Sequence, residues 1–218
     1  MVLKLYGSRL SIPSLRVNAA LAEKNVPFEF IAVDEKNGEN KTPAYLEKHP
    51  FGQMPYIDDD GFILYETRAI CRYIAMKYRA QGPALLPDPN DLQATALFEQ
   101  AASVEQNDFD PYALGYAYEK LAKPYHGLPV DQKVLDTMLG KLDERLNGYE
   151  RILAKHKYLA GDEYTLADLF HLPWGTAFTD RFQFDYFTNE EKRPNIARWW
   201  KDISSRPAWL AAKGGPPV

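Results

Sequence analysis

Cysteine is almost missing from this chain. Cys71 is the only one, which excludes an internal disulfide and any CxxC redox or zinc pair. The four histidines, His49, His126, His156 and His171, form no i, i+4 pair and have no partner cysteines, so no metal site is expected. No apolar run approaches the roughly 20 residues a bilayer span requires. The opening "MVLKLYGSR" lacks the basic, apolar and small-residue zones of a secretory leader. A cytoplasmic protein with no membrane partner is the expectation, and Asn40-Lys41-Thr42 is then an accidental glycosylation match. The net charge is −4, with no polybasic run, which argues against a nucleic-acid partner. The G-x-S-x-G and Ser-x-x-Lys signatures of serine nucleophiles are also absent.

What is present suits two folded domains. An apolar fraction of 45%, with 13% aromatic residues over 218 positions, is ample for a core. "VLKLY" alternates as a strand should, and "SLRVNAALAEKN" follows at helical spacing. "PFEFIAV" reads as a second strand, and a polar stretch with at most a short helix at 44–48 comes next. Asp60-Gly61 between "PYID" and "FILY" signals a hairpin, and "TRAICRYIAMKYR" returns to helical period. The order β-α-β-(α)-β-β-α predicts a right-handed first crossover and a hairpin on the same sheet. Residues 1–80 form this α/β domain, and 81–90, rich in proline and glycine, a linker. Residues 91–218 read as an all-α helical bundle ending in a loose tail, "AAKGGPPV".

Several positions invite chemistry, each with a plainer alternative. Thr165 and Asp168 in "YTLADLF" fit a capping box, which makes Asp168 a folding device. Cys71 lies inside a predicted helix and reads as a packed small hydrophobe. In "FGQMPYI", a cis bond at Met54-Pro55 would leave the Met54 N–H and C=O free for a peptide ligand; an ordinary strand start is equally compatible. Glu66 and Thr67 fall at a helix N-terminus, where unpaired N–H groups and the dipole suit a carboxylate; a plain cap fits as well. Ser11 has no base to make it a nucleophile. It offers a hydroxyl at the start of the first helix, where an anion supplied by another molecule would be stabilised, and Pro13 suits that helix's first turn.

Ser11 with Arg16-Val17, "GENK", "PFGQMPYID", "YETRAICRYIA", the linker and "KYLAGDEYTLADLFHLP" occur in order over nearly the whole chain. Together they resemble the cytosolic glutathione transferases, most closely the phi class of plants and fungi. The resemblance implies a thioredoxin-like N-terminal domain that binds glutathione, a C-terminal helical-bundle domain, and a homodimer. It makes glutathione a co-substrate with no permanently bound cofactor, and Ser11 the catalytic donor to the glutathione thiolate. It assigns the cysteinyl part to Gln53 and the backbone of Met54 before Pro55, the γ-glutamyl end to Glu66 and Thr67, and the glycine carboxylate to Lys41. Asn40 stands where the family usually has histidine; it can hydrogen-bond a carboxylate but brings no positive charge. An apolar electrophile pocket is expected between the domains, with Ile12, Phe109, Tyr112, Tyr116, Trp174 and Phe178 as candidates. The i, i+3, i+7 spacing of Phe109, Tyr112 and Tyr116 describes core packing equally well.

The implied chemistry is coherent. A free cysteine thiol has a pKa of about 8.5, and a hydrogen bond given to its charged form favours thiolate. The leading function is conjugation of glutathione to hydrophobic electrophiles, with peroxide reduction as a side activity. A non-catalytic, ligandin-type carrier of bulky apolar ligands is the alternative, towards which Asn40 leans. An interaction module is disfavoured by the absence of an appended domain, and a cysteine-dependent, glutaredoxin-like member by serine at position 11.

Overall fold

The computed structural model describes residues 2–216. The chain divides into two compact units: residues 1–86 with 204–218, and 87–203. No helix among the described residues is long and apolar enough to cross a membrane.

The first unit is built on β1 (Leu3–Gly7), α1 (Ile12–Glu23), β2 (Phe28–Ala32), α2 (Pro43–Leu46), β3 (Tyr56–Asp59), β4 (Phe62–Tyr65) and α3 (Thr67–Lys77). Its sheet runs in the order β2-β1-β3-β4. β1 and β2 are parallel, joined through α1, while β3 pairs antiparallel with both β1 and β4. This is a thioredoxin-like, mixed four-stranded sheet. The β3–β4 hairpin turns at Asp60 (φ 58°) and Gly61 (φ 88°), two consecutive left-handed residues as a tight hairpin turn demands.

Ser11 caps α1, with Pro13 in its first turn. The helix is buried almost all round because α3 packs on it and so does α11 (Pro207–Ala212). Cys71 is buried in α3. The end of α1 is tied to the linker: fully buried Lys24 donates to the carbonyls of Gln81 (3.0 Å) and Pro83. Gly82 (φ +58°) lies so close to Glu23 that an added Cβ would sit 2.1 Å from its carbonyl oxygen. Desolvation, with the nearby Arg79 cation, lowers the Lys24 pKa.

The chain after Ser204 is not a loose tail within the described residues. Ala211 and Ala212 belong to α11, Asn18 donates to the Ala212 carbonyl (2.9 Å), and Arg206 forms a two-pronged pair with buried Glu23 (2.5 and 2.8 Å). Arg9 donates to the Pro216 carbonyl (3.1 Å). The sequence pattern misses this because so short a helix draws its stability from packing on α1 rather than from its own propensity. Pro217 and Val218, which the loose-tail expectation also covers, lie outside the described residues.

The second unit contains α4 (Leu92–Asp108), α5 (Asp110–Ala117), α6 (Lys123–Tyr125), α7 (Gln132–Leu153), α8 (Leu166–Leu169), α9 (Leu172–Thr176) and most of α10 (Pro194–Ser204). Pro111 restarts the chain as α5. π-Helical turns at Tyr118–Ala122 and Ala177–Arg181 follow α5 and α9. On α7, Leu135, Leu142, Leu146, Tyr149 and Leu153 face the core at spacings of seven, four, three and four, the apolar stripe of a packed helix. His171 is a satisfied core residue, with Nδ1 2.8 Å from the Ala167 carbonyl and Nε2 3.1 Å from the Tyr149 hydroxyl.

The predicted capping box is present at α8 and extends further than its two residues. Asp168, fully buried, accepts from Thr165 N–H (3.0 Å) and Oγ1 (3.2 Å) through one oxygen. Its other oxygen accepts from Leu159 N–H (3.0 Å) and Trp199 Nε1 (2.9 Å). Burial raises the Asp168 pKa in spite of these donors.

Candidate active site

Most of the predicted glutathione contacts lie where chain segments of the first unit end or turn: the β1–α1 junction, the turn before β3, and the β4–α3 junction. At the first, Ser11 is half-buried in extended conformation (φ −69°, ψ 140°). Its Oγ accepts from Ser14 N–H at 3.3 Å and lies 2.8 Å from Ser14 Oγ, to which its hydroxyl donates. Capping and thiolate stabilisation are therefore compatible: the oxygen caps while the proton can be redirected.

The Met54-Pro55 bond is cis. Neither the N–H nor the C=O of Met54 makes a backbone hydrogen bond among the described residues, which leaves both for a ligand. Met54 packs against the buried cluster of Val33, Tyr45 and Tyr56, as do Tyr6, Ile63 and Tyr65. Tyr45 reaches from α2 to donate to the Gln53 carbonyl (2.8 Å), fixing the residue before Met54 while the Gln53 side chain stays exposed. Desolvation raises the Tyr45 pKa and pushes that of Tyr56 up to about 12, so both hydroxyls keep their protons at physiological pH. Tyr45 carries no sequence signal of its role, because its bond depends on the turn at residues 47–53.

That turn also decides the fate of Asn40. The resemblance places Asn40 among the glutathione contacts, but its side chain points inward: it is buried, and its amide donates to the Gly52 carbonyl (2.8 Å). Gly52 has φ +60°, and an added Cβ would meet the Asn40 carbonyl at 2.6 Å. Asn40 shapes the loop. Exposed Lys41 donates to the same Gly52 carbonyl (2.9 Å) and to that of Phe51 (3.3 Å), and it is free to swing to an anion.

Glu66 is exposed and precedes α3 with φ 71° and ψ 106°. A non-glycine residue held there is strained, and such strain concentrates at ligand-binding positions. Thr67 is the first residue of α3, and the Glu66 side chain does not cap that helix; a helix N-terminus suits an anion by its N–H groups and dipole. The His49 ring packs at a tilt of 33° against Tyr65, centroids 4.8 Å apart; burial lowers its pKa, partly offset by the Glu66 charge.

The electrophile candidates separate by exposure. Phe109 and Phe178 have no exposed surface. Phe109 packs against Tyr149, His171 and Phe187, and Phe178 against Tyr116, Phe182 and Phe184. These are core rings of the helical unit, with no surface to present to a ligand. Tyr116 is also nearly enclosed, and desolvation raises its pKa. Trp174 donates through Nε1 to Asp110 (3.1 Å). Ile12 and Tyr112 are half-buried.

The first unit thus combines a mixed sheet, a cis-proline turn and a capping serine, in a chain that also carries an all-helical unit. Family models name the class: residues 1–76 match the glutathione S-transferase N-terminal domain and 111–207 the C-terminal domain. The chain belongs to the glutathione S-transferase family. Within that family it is phi-class-like. It is 43% identical over 97% of its length to glutathione S-transferase hmp2 of Hypomyces subiculosus, spanning 98% of that protein. It is 41% identical to glutathione S-transferase F9 of Arabidopsis thaliana, over 96% of this chain and 95% of that one. The crystal structure of glutathione transferase F7 from Populus trichocarpa superposes with a TM-score of 0.90, 38% identity and complete coverage of both chains.

Proposed function

We propose that this transferase binds glutathione in its first unit and stabilises its thiolate through the Ser11 hydroxyl for attack on hydrophobic electrophiles. The observation that carries the proposal is the packing of the serine end against the cis-proline end. Ser14, bonded to Ser11, and Pro55, next to the unpaired Met54 backbone, both crowd Gly7. A hydroxyl donor and a peptide-binding backbone are thus held by one strand end. Met54 would take the cysteinyl backbone, with Gln53 beside it. Glu66 would pair with the γ-glutamyl ammonium and the α3 start at Thr67 with its carboxylate, while Lys41 would meet the glycine carboxylate.

Ser11 acts as an electrostatic stabiliser. One charge-assisted hydrogen bond lowers the thiol pKa by about one to two units, at about 1.36 kcal/mol each. Within the helical unit Tyr112, Tyr116 and Trp174 remain candidate electrophile contacts, and within the first unit Ile12 does. A relative from maize, whose structure holds an atrazine–glutathione conjugate, supports an aromatic electrophile class. The enzyme reading is favoured over the carrier because the Met54 backbone makes no backbone hydrogen bond and the Ser11 hydroxyl stands at the start of α1.

The test is conjugation of glutathione to a generic aromatic halide. Ser11→Ala should lower kcat/KM about 10- to 100-fold near neutral pH, in step with the lost thiolate, and the loss should shrink as pH rises past the free thiol value. Full activity of Ser11→Ala at every pH would remove the serine from the mechanism. Inactive wild-type protein that binds large apolar dyes would instead favour the carrier.

We also propose a cytoplasmic homodimer. The first unit exposes Phe51, Phe62 and Met76, and the second Leu92 and Leu97, apolar side chains that a second copy of the chain would cover. Sedimentation should return twice the 24.9 kDa chain mass; a single-chain mass at micromolar concentration would overturn the dimer.

A further inference from the structure

Ser14 is fully buried, one helical turn after Ser11, and none of the assigned glutathione contacts includes it. Its backbone N–H donates to Ser11 Oγ at 3.3 Å and its own Oγ lies 2.8 Å from that oxygen. Gly7 hems it in: a Cβ there would stand 2.5 Å from Ser14 Oγ and 3.3 Å from the Pro55 Cβ. The Ser14 hydroxyl is therefore held facing Ser11.

We propose that Ser14 is a positioning residue that turns the Ser11 proton outward to the glutathione thiolate; the inference rests on the function proposed above. A hydroxyl has one proton to donate and two lone pairs to accept with. Without ligand, the Ser11 proton points at Ser14 Oγ. When a thiolate arrives, the Oγ–Oγ contact reverses its donor with no change in the oxygen positions. Ser11 Oγ then accepts from both the Ser14 N–H and the Ser14 O–H, so both its lone pairs are occupied. Donation is the one capacity left to it, and the thiolate is the acceptor. No proton leaves either oxygen: each O–H bond persists while two hydrogen bonds reorient. Bonds in such a chain polarise one another, strengthening each by about 10–30%, so Ser11 donates more strongly than an isolated serine.

The experiment measures the pKa of the enzyme-bound glutathione thiol, by thiolate absorbance and by the pH profile of kcat/KM, in wild type, Ser11→Ala, Ser14→Ala and the double variant. Ser14→Ala should raise the bound-thiol pKa by about half a unit, roughly a threefold loss of thiolate below it, with glutathione affinity little changed. In the Ser11→Ala background it should add no further shift, because Ser14 acts through Ser11. Ser14→Cys keeps the site filled but offers only a weak donor; it should give the same upward shift and serves if the alanine variant folds poorly. A bound thiol with depressed pKa that is indifferent to Ser14, or that shifts equally with and without Ser11, overturns this inference alone. A wild-type protein with no depressed thiol overturns the proposed function and this inference with it.

Discussion

Replacing Asp168 with alanine should be among the most damaging single changes in the helical unit. The side chain has no exposure and collects four donors: Thr165 N–H, Thr165 Oγ1, Leu159 N–H and Trp199 Nε1. Loss of the cap costs about 0.5–2 kcal/mol. The Leu159 amide and the Trp199 indole are then left buried without a partner, at about 1–3 kcal/mol each. Neighbouring losses are not additive, and the expected total is about 3–5 kcal/mol. Asp168→Asn keeps one acceptor oxygen and turns an amide N–H₂ toward one of the two donor pairs, so it should recover part of that loss. Urea unfolding followed by tryptophan fluorescence, at fixed protein concentration, reads the change as a shift in midpoint at constant slope. None of the candidate glutathione contacts bonds to Asp168, so the affinity of the folded protein for glutathione should be unchanged. A loss below about 1 kcal/mol for Asp168→Ala would refute the network, since the cap alone accounts for that much.

Asn40→Ala removes the donor that holds the Gly52 carbonyl and should cost about 1 kcal/mol in stability. It should also weaken glutathione binding indirectly by loosening the turn before Met54; calorimetric binding indistinguishable from wild type would refute that coupling. Asp59 supplies a pH test. Burial by itself would raise its carboxyl pKa, but hydrogen bonds from Lys77 and Tyr73 outweigh it and hold the pKa below its ordinary value. Its stabilisation is present above the unfolded carboxyl value near pH 4 and is lost as pH falls through the depressed folded value. Lys77→Met should therefore melt below wild type at pH 7, with the gap narrowing as pH falls below the unfolded carboxyl value of about 4. A gap independent of pH would show that the pair contributes through packing alone.

The parts of the fold legible in the sequence are those decided within a few residues. Asp60-Gly61 specifies its turn by backbone sterics, Thr165 and Asp168 are three residues apart, and Ser11 with Pro13 marks a helix start. What could not be read depends on segments meeting through the fold. Leu159 and Trp199 lie 9 and 31 residues from the carboxylate they share. The inward turn of Asn40 needs a carbonyl 12 residues away. Phe109 has the periodicity of a lining residue and of a core residue alike, and only its ring neighbours distinguish the two. Ser14 hides behind an ordinary serine-rich helix start; without Gly7 in place, nothing marks its hydroxyl as aimed.

The return of residues 204–216 to the first unit has a consequence for the order of assembly. Arg206 neutralises Glu23, and Ala212 receives Asn18, across separations of 183 and 194 residues. In the order of synthesis the segment bearing Ser11 precedes the helical unit, whereas α11, which packs on α1, follows it. The helical unit, contiguous at 87–203, can close first. Contacts of such long sequence separation make for slow, non-local folding, so a product cut after residue 203 would carry every candidate glutathione contact on a first unit that lacks α11.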